Sequence, residues 1–245
     1  MGYTGDLDGG NGFIIKNLVI EACGTFIFSY VYLNQFLTTN SFILFLSVLT
    51  VLNWVCFPLS GAHFNPCVTL ALMAKNKIDV KKGLMYLAVQ FGATFAAAFV
   101  LWINQKESSY FGRTKGDWWD SRMPQVNKWV LNDKEYMGLF YEFMATFSFT
   151  LIFFAANVGK GGTAVIAGFI IGLGYCFANT MVFKYTGGAC NPYFYIAPRL
   201  LTMTFKDIVW YIFGPILGAL AAAFVYEPLV GDAISDDETP LIDLK

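Results

Sequence analysis

The chain has 245 residues and a formal net charge of −1; 56% of its residues are hydrophobic and 13% are charged. About a quarter of the residues of an ordinary soluble domain are charged, so the composition excludes that class. The near-neutral charge also excludes a basic nucleic-acid-binding surface. Because the apolar residues occur in long blocks, the sequence indicates a protein whose main partner is the lipid bilayer.

Six apolar blocks predict membrane-spanning helices, each close to the ~20 residues that cross a bilayer. In chain order they run from about Phe13 to Leu33, Ser41 to Leu59, Gly83 to Ile103, Tyr136 to Asn157, Thr163 to Phe183 and Ile208 to Leu229. We therefore expect a multi-pass integral protein of the plasma membrane or an organelle membrane. Four lysines between the second and third spans favour a cytoplasmic position for that side: Lys75, Lys77, Lys81 and Lys82.

Two further segments, Gly61 to Ala74 and Gly187 to Leu200, are too short to cross a membrane. Each begins with glycine and contains an Asn-Pro pair, Asn65-Pro66 in the first and Asn191-Pro192 in the second. Asparagine caps helices, and proline is well tolerated at the first helical position. An ordinary surface loop would explain one such segment, but two matched segments favour re-entrant half-helices.

Three features of the first half of the chain recur in the same order in the second half. The motif at Glu21 recurs at Glu142, 121 residues later, and both the Asn-Pro pair and the Gly-Ala pair at Gly92 recur 126 residues later. Each unit holds three spans, an odd number, so the second copy is expected to be inverted in the membrane. We predict a single domain over residues 1–245, with repeats over about 13–103 and 136–229 and an acidic tail over 230–245.

These motifs resemble the aquaporin, or major intrinsic protein, family. The resemblance is carried by SGAHFNPCVT from Ser60, YTGGACNP from Tyr185, QFGA from Gln90 and the motifs at Glu21 and Glu142. It spans nearly the whole chain and implies an all-α membrane fold, with six transmembrane helices plus two re-entrant half-helices in an inverted 3+3 repeat. It also implies a homotetramer, because each protomer in the family has its own pore.

Elementary electrostatics predicts what two such half-helices do when their N-termini meet. Each N-terminus carries about half a positive charge and unpaired N–H groups, which oppose cations and hydronium in a shared pore. Asn65 and Asn191 would each offer an amide donor to a passing molecule. The backbone carbonyls of residues 60–64 and 186–190 would supply acceptors. This arrangement predicts passage for small uncharged molecules.

Four polar residues fall inside apolar or re-entrant segments: Glu21, Glu142, His63 and Gln90. A carboxylate within the membrane suggests a functional site, and proton transport is one interpretation of the two glutamates. The resemblance favours a structural role instead, in which they bind buried N–H groups of the re-entrant loops. His63 is either a pH gate or a loop-packing residue, and we favour packing.

The chain departs from the family at both Asn-Pro motifs. Alanine usually follows each pair, and this chain has Cys67 and Tyr193 there. Cysteine is a mild change that unorthodox members of the family share. Tyrosine adds a large ring, which either displaces or narrows the pore.

The predicted selectivity filter also lacks the family's usual arginine, because Phe194 stands at that position. Gap-free matching from the motifs places the other filter positions at Phe45, Asn179 and Gly188. Arg199 lies five residues beyond Phe194, more than one helical turn, and is not expected to replace the missing charge.

We therefore predict a passive channel with altered selectivity for water or small uncharged solutes, such as glycerol-like polyols, hydrogen peroxide or ammonia. The alternative is a closed-pore structural subunit of a larger membrane complex. Two features favour it: Tyr193 beside Phe194, and a tryptophan-rich central link between the halves, Asn104 to Glu135. The link contains Trp118, Trp119 and Trp129. The sequence shows no nucleophile–base set, metal-ligand cluster or phosphate loop, so we expect no enzyme activity, metal site or cofactor.

Overall fold

The computed structural model describes residues 11–34, 41–104, 123–158 and 166–230. In these ranges the chain is helical between short connections and contains no β-strand. The helices are α1 (Asn11–Asn34), α2 (Ser41–Ser60), α3 (Pro66–Ala74), α4 (Val80–Asn104), α5 (Lys128–Leu131), α6 (Met137–Phe153), α7 (Ala167–Thr186), α8 (Pro192–Thr202) and α9 (Ile208–Val230). A π-helical turn, Phe154–Val158, follows α6.

Six of these helices are long and apolar enough to cross a membrane, which confirms the predicted spans: α1, α2, α4, α6, α7 and α9. Their ends differ by a few residues from the prediction. The third span begins at Val80 rather than Gly83. The start predicted for the fifth span, Thr163, lies outside the described residues, and its helix is described from Ala167.

Two short helices, α3 and α8, occupy the segments predicted as half-helices. Each begins at the proline of its Asn-Pro pair, because the preceding asparagine side chain accepts a hydrogen bond from the N–H two residues later. Asn65 Oδ1 lies 2.9 Å from Cys67 N, and Asn191 Oδ1 lies 2.9 Å from Tyr193 N. The five residues before each proline, counted within the predicted half-helices, form non-helical loops.

Each connection, together with the last residue of the preceding helix, is given a name: the first loop is residues 60–65 and the second loop is residues 186–191. Three residues in each adopt a left-handed backbone, at positions related by the 126-residue offset of the repeat. They are Gly61, Ala62 and Phe64 in the first loop, and Gly187, Gly188 and Cys190 in the second. Non-glycine residues pay a conformational cost there, so the surrounding structure must hold both loops in place.

The two halves of the chain pack in matching ways. Helix α1 lies against α4, and α6 lies against α9. Each half-helix also contacts the last helix of the other half, α3 against α9 and α8 against α4. A Cβ atom on Gly218 would lie 2.3 Å from the carbonyl oxygen of Phe143, so glycine is required where α6 and α9 approach most closely.

The end of the central link packs against the second half. Asn127 N–H donates to the Tyr185 carbonyl at 2.7 Å, and Val126 N–H donates to the Asp207 carboxylate at 3.3 Å. Met123 and Val126 are buried. Trp118 and Trp119, the side chain of Trp129 and the tail beyond residue 230 lie outside the described residues.

Candidate functional site

The Glu21 carboxylate, fully buried on α1, fixes the first loop. Its two oxygens accept hydrogen bonds from Ser60 Oγ (2.8 Å), the N–H groups of His63 (2.9 Å) and Phe64 (3.0 Å), and Gln90 Nε2 (3.0 Å). Four donors from α2, the loop and α4 therefore converge on one carboxylate. Charge-assisted bonds of this kind are roughly twice as strong as neutral ones, which accounts for the two strained residues of this loop.

Glu142, on α6, holds the second loop in the same way. Its carboxylate accepts from Thr186 Oγ1 (2.6 Å) and from the N–H groups of Ala189 (3.1 Å) and Cys190 (2.9 Å). These donors are the counterparts of Ser60, His63 and Phe64 at an offset of 126 residues. The fourth donor, Gln90, has no counterpart, because Ile216 stands at the matching position.

The half-helix N-termini meet at the two asparagines. Asn65 Nδ2 donates to the carbonyl oxygen of Cys190 at 2.8 Å, which joins the first Asn-Pro motif to the second loop. This contact brings the N-terminal ends of the two half-helices next to each other. Asn191 is fully buried, and within the described ranges its Nδ2 has no hydrogen-bond partner.

The residues that follow the Asn-Pro pairs have different surroundings. Cys67 is fully buried. Tyr193 is partly exposed, and its ring meets the edge of Phe91 on α4 at a centroid distance of 5.3 Å. The large ring of Tyr193 therefore lies against α4, which is also a helix that α8 packs on.

The carbonyl groups of the second loop are already bound by protein donors. Tyr32 hydroxyl donates to Gly187 O (3.0 Å), Asn179 Nδ2 to Gly188 O (2.8 Å) and Tyr175 hydroxyl to Ala189 O (3.3 Å). Tyr211 hydroxyl donates to Thr186 O, and Asn65 Nδ2 to Cys190 O. Each of the five carbonyls thus has at least one protein donor, a tyrosine hydroxyl in three cases and an asparagine amide in two. A carbonyl oxygen has two lone pairs, so their use as acceptors by permeants stays a prediction.

The first loop differs from the second in this respect. Tyr86 hydroxyl donates to the carbonyl of Ser60 at 2.7 Å, at the start of the loop. Among the residues that the structure describes, no donor reaches the carbonyls of Gly61, Ala62 and Phe64. The first loop thus retains the free acceptors that a passing molecule needs.

Two predicted filter residues, Phe45 and Phe194, belong to a cluster of six buried rings that we call the aromatic cluster. Phe194 stacks on Tyr32 with ring centroids 4.2 Å apart, and Phe45 meets the edge of Tyr175 at 5.3 Å. The members are Phe28, Tyr32, Phe45, Phe149, Tyr175 and Phe194. The other two predicted filter residues, Asn179 and Gly188, lie in direct contact through the bond described above.

His63 is buried and held on two sides. Its Nδ1 lies 3.0 Å from Thr69 Oγ1, and its ring meets the edge of Tyr86 at 5.0 Å. These contacts are those of a packing residue between the first loop, α3 and α4.

Arg199 lies in the last turn of α8, away from the predicted filter. Its guanidinium donates to Thr204 Oγ1 (3.1 Å) and to the Pro124 carbonyl (3.4 Å) and lies over the Tyr195 ring. Nearby, burial raises the pKa of the Asp207 carboxyl above its ordinary value, while the bond from Val126 opposes the shift. Both side chains hold the central link against the second half.

Sequence reasoning missed the four tyrosines that bind the loops: Tyr32, Tyr86, Tyr175 and Tyr211. A tyrosine within an apolar span usually needs a hydrogen-bond partner for its hydroxyl. The presence of tyrosines in these spans therefore indicates buried acceptors, although it does not identify them. Tyr32 also shares a helix face with Glu21, since the two lie three helical turns apart on α1. That spacing directs both side chains to the interior of the molecule.

The six spans and the paired half-helices define a multi-pass membrane protein. A family model described as "Major intrinsic protein" matches residues 14–226. The chain is 29% identical over 180 residues to Aquaporin NIP3-1 of Arabidopsis thaliana, a match that covers 73% of this chain and 53% of the relative. It is also 29% identical over 188 residues to human Aquaporin-4, covering 74% of this chain and 53% of the relative.

A solved structure of the aquaglyceroporin from Plasmodium falciparum shares the fold, with a TM-score of 0.71 and 20% sequence identity. The similarity covers 89% of this chain and 99% of that one. The chain belongs to the major intrinsic protein family, a family of membrane channels rather than enzymes, and is an integral membrane protein. The matches span about half of the length of the curated relatives.

Proposed function

We propose that the chain is a passive transmembrane channel for small uncharged molecules, with water, glycerol-like polyols, hydrogen peroxide and ammonia as candidate permeants. The observation that carries the proposal is the meeting of two half-helix N-termini at Asn65 and Asn191. An unpaired buried donor is costly, and an oxygen or nitrogen atom of a passing molecule would satisfy Asn191 Nδ2. The positive helix ends disfavour cations at the same point.

The proposed filter consists of Phe45, Asn179, Gly188 and Phe194. It contains two aromatic rings, one amide and no fixed charge. A filter without the family's usual arginine has one fewer donor for water and no positive charge to repel cations. We therefore propose that selectivity differs from that of strict water channels and that the half-helix ends supply the remaining barrier to ions.

Glu21 and Glu142 have a structural role in this proposal. All four oxygens of the two carboxylates accept hydrogen bonds from loop or helix donors. A carboxylate that carries protons across a membrane must exchange its partners during each cycle. The proposal therefore predicts solute flux that does not depend on a pH gradient.

The proposed function is tested in proteoliposomes by stopped-flow light scattering after an osmotic step. Purified protein should equilibrate water or one of the small neutral solutes faster than protein-free vesicles. Asn191→Asp is a matched variant, because it keeps the capping oxygen and replaces the amide donor by a carboxylate; it should lower the flux. Wild-type flux equal to that of empty vesicles for every solute, with correctly folded protein, would contradict the proposal.

A second candidate function is a closed-pore structural subunit of a larger membrane complex. The complete burial of Phe194 and the bound carbonyls of the second loop favour it. The two candidates differ in assembly, since the channel is expected to be a homotetramer. Native mass spectrometry of protein purified from its own membrane distinguishes four copies of the 27.3 kDa chain from one copy with other subunits.

A further inference from the structure

We infer that Tyr32 is an additional member of the constriction and that, in the conformation described, its stack on Phe194 closes the second-loop half of the passage, so that conduction requires the two rings to separate. Tyr32 lies on α1, outside the four proposed filter positions. This inference rests on the proposed function, because it identifies the residues that decide passage at that same site.

The first argument is the space that the two rings fill. The Tyr32 and Phe194 rings are nearly parallel, with an interplanar angle of 19° and centroids 4.2 Å apart. Each residue is 0% exposed to solvent. A ring that borders a water-filled passage presents part of one face to water. These two rings instead stack on each other, Tyr32 also stacks on Phe45 at 6.1 Å, and Phe28 meets Phe194 edge-to-face at 5.1 Å. The stack therefore occupies the place where the filter residue Phe194 would line a pore.

The second argument is the hydroxyl group of Tyr32. It donates to the Gly187 carbonyl at 3.0 Å, a contact between residues 155 positions apart. Gly188, the next residue, has its carbonyl bound by Asn179. A solute that enters the second loop must therefore separate the two rings and also replace a protein donor at Gly187. Tyr32 thus contributes both to the width of the constriction and to the occupation of the Gly187 carbonyl, to which Asn179 Nδ2 also donates at 3.4 Å.

The third argument is the contrast between the two loops. The first loop keeps free carbonyls within the described residues, as noted above, and has no equivalent of the stacked pair. If tight packing alone caused the closure, protein donors would bind the carbonyls of both loops to the same extent. The closure instead belongs to the second loop, where the chain also lacks the family's arginine and has Phe194 in its place.

The inference is tested by comparing solute flux through the wild type and the double variant Tyr32→Ala/Phe194→Ala in proteoliposomes. The double variant should conduct water or small neutral solutes about tenfold faster, the change that corresponds to loss of one aromatic pair and one hydrogen bond. Tyr32→Phe, which removes the hydroxyl and keeps the ring, should give a smaller increase. Tyr141→Ala is the matched control, since Tyr141 stacks on Tyr185 at 4.1 Å outside the aromatic cluster; it should leave the flux unchanged.

A cryo-electron microscopy structure of the double variant separates this inference from the proposed function. An open second-loop half with increased flux supports both. An open second-loop half without flux supports the closure by Tyr32 and Phe194 and contradicts the channel. Wild-type flux that exceeds the flux of empty vesicles and equals the flux of the double variant supports the channel and overturns the closure. A second-loop half that stays closed in the folded double variant also overturns the closure.

Discussion

Two carboxylates determine the geometry at the scale of single residues. Glu21 and Glu142 come from different halves of the chain, yet each binds the hydroxyl at the start of its loop and two consecutive N–H groups before its asparagine. The loops adopt left-handed conformations that are unfavourable by themselves. The carboxylates therefore hold the strained backbone that places Asn65 and Asn191 at a common point.

Removal of one carboxylate should destabilise the fold. Glu142→Ala leaves three buried donors without a partner, and each such group costs about 1–3 kcal/mol. We expect the free energy of unfolding to fall by at least about 3 kcal/mol, measured as a lower thermal midpoint in detergent. Glu135→Ala, which removes a half-exposed carboxylate from the central link, is the control and should change the midpoint little. Equal midpoints for the two variants would show that Glu142 does not hold the second loop.

At the scale of elements, the half-helices could be predicted and the partners of their loops could not. Asn-Pro is a local signal, because the cap and the proline act within three residues of each other. The bonds from Tyr32 to Gly187 and from Asn65 to Cys190 connect distant parts of the sequence. The spans are apolar on nearly every face, so periodicity does not show which tyrosine points to a loop.

The predicted starts of the half-helices illustrate the same limit. Gly61 and Gly187 were included in the half-helices, yet both helices begin five residues later, at the prolines. Two of the intervening N–H groups in each loop bind a glutamate side chain instead of a helix carbonyl. The glycines indicate a non-helical turn at these positions. The carboxylates that hold each turn lie more than 35 residues away in the sequence, so local patterns do not reveal them.

The tether between the central link and α9 gives a prediction at this scale. Asp207→Ala leaves the buried N–H of Val126 without its acceptor, a loss of about 1–3 kcal/mol. Amide hydrogen exchange over residues 123–131 should become faster than in the wild type. Asp207→Asn keeps an acceptor and should change exchange less, and Lys134→Ala, at an exposed position on the same link, should not change it. Unaltered exchange in Asp207→Ala would mean that other contacts hold the link.

At the scale of the whole molecule, the two halves of the chain differ in how the carbonyls of their loops are bound. The fold class and the six spans followed from the sequence, because long apolar blocks and an odd-numbered repeat restrict the topology. The aromatic cluster did not follow, since it depends on rings from α1, α2, α7 and α8 that meet only in the folded chain. The proposed constriction at Tyr32 and Phe194 therefore rests on the structure rather than on the sequence.

The central claim is that two half-helices meet at Asn65 and Asn191 and define a passage whose second-loop half is filled by Tyr32 and Phe194. An experimental structure of the wild-type protein in lipid nanodiscs, with ordered water resolved, tests it most directly. We predict contact between Asn65 and the Cys190 carbonyl, water beside the first loop, and Tyr32 stacked on Phe194 with no water between them. A continuous column of water past an unstacked Phe194, or half-helices whose N-termini do not meet, would contradict the claim.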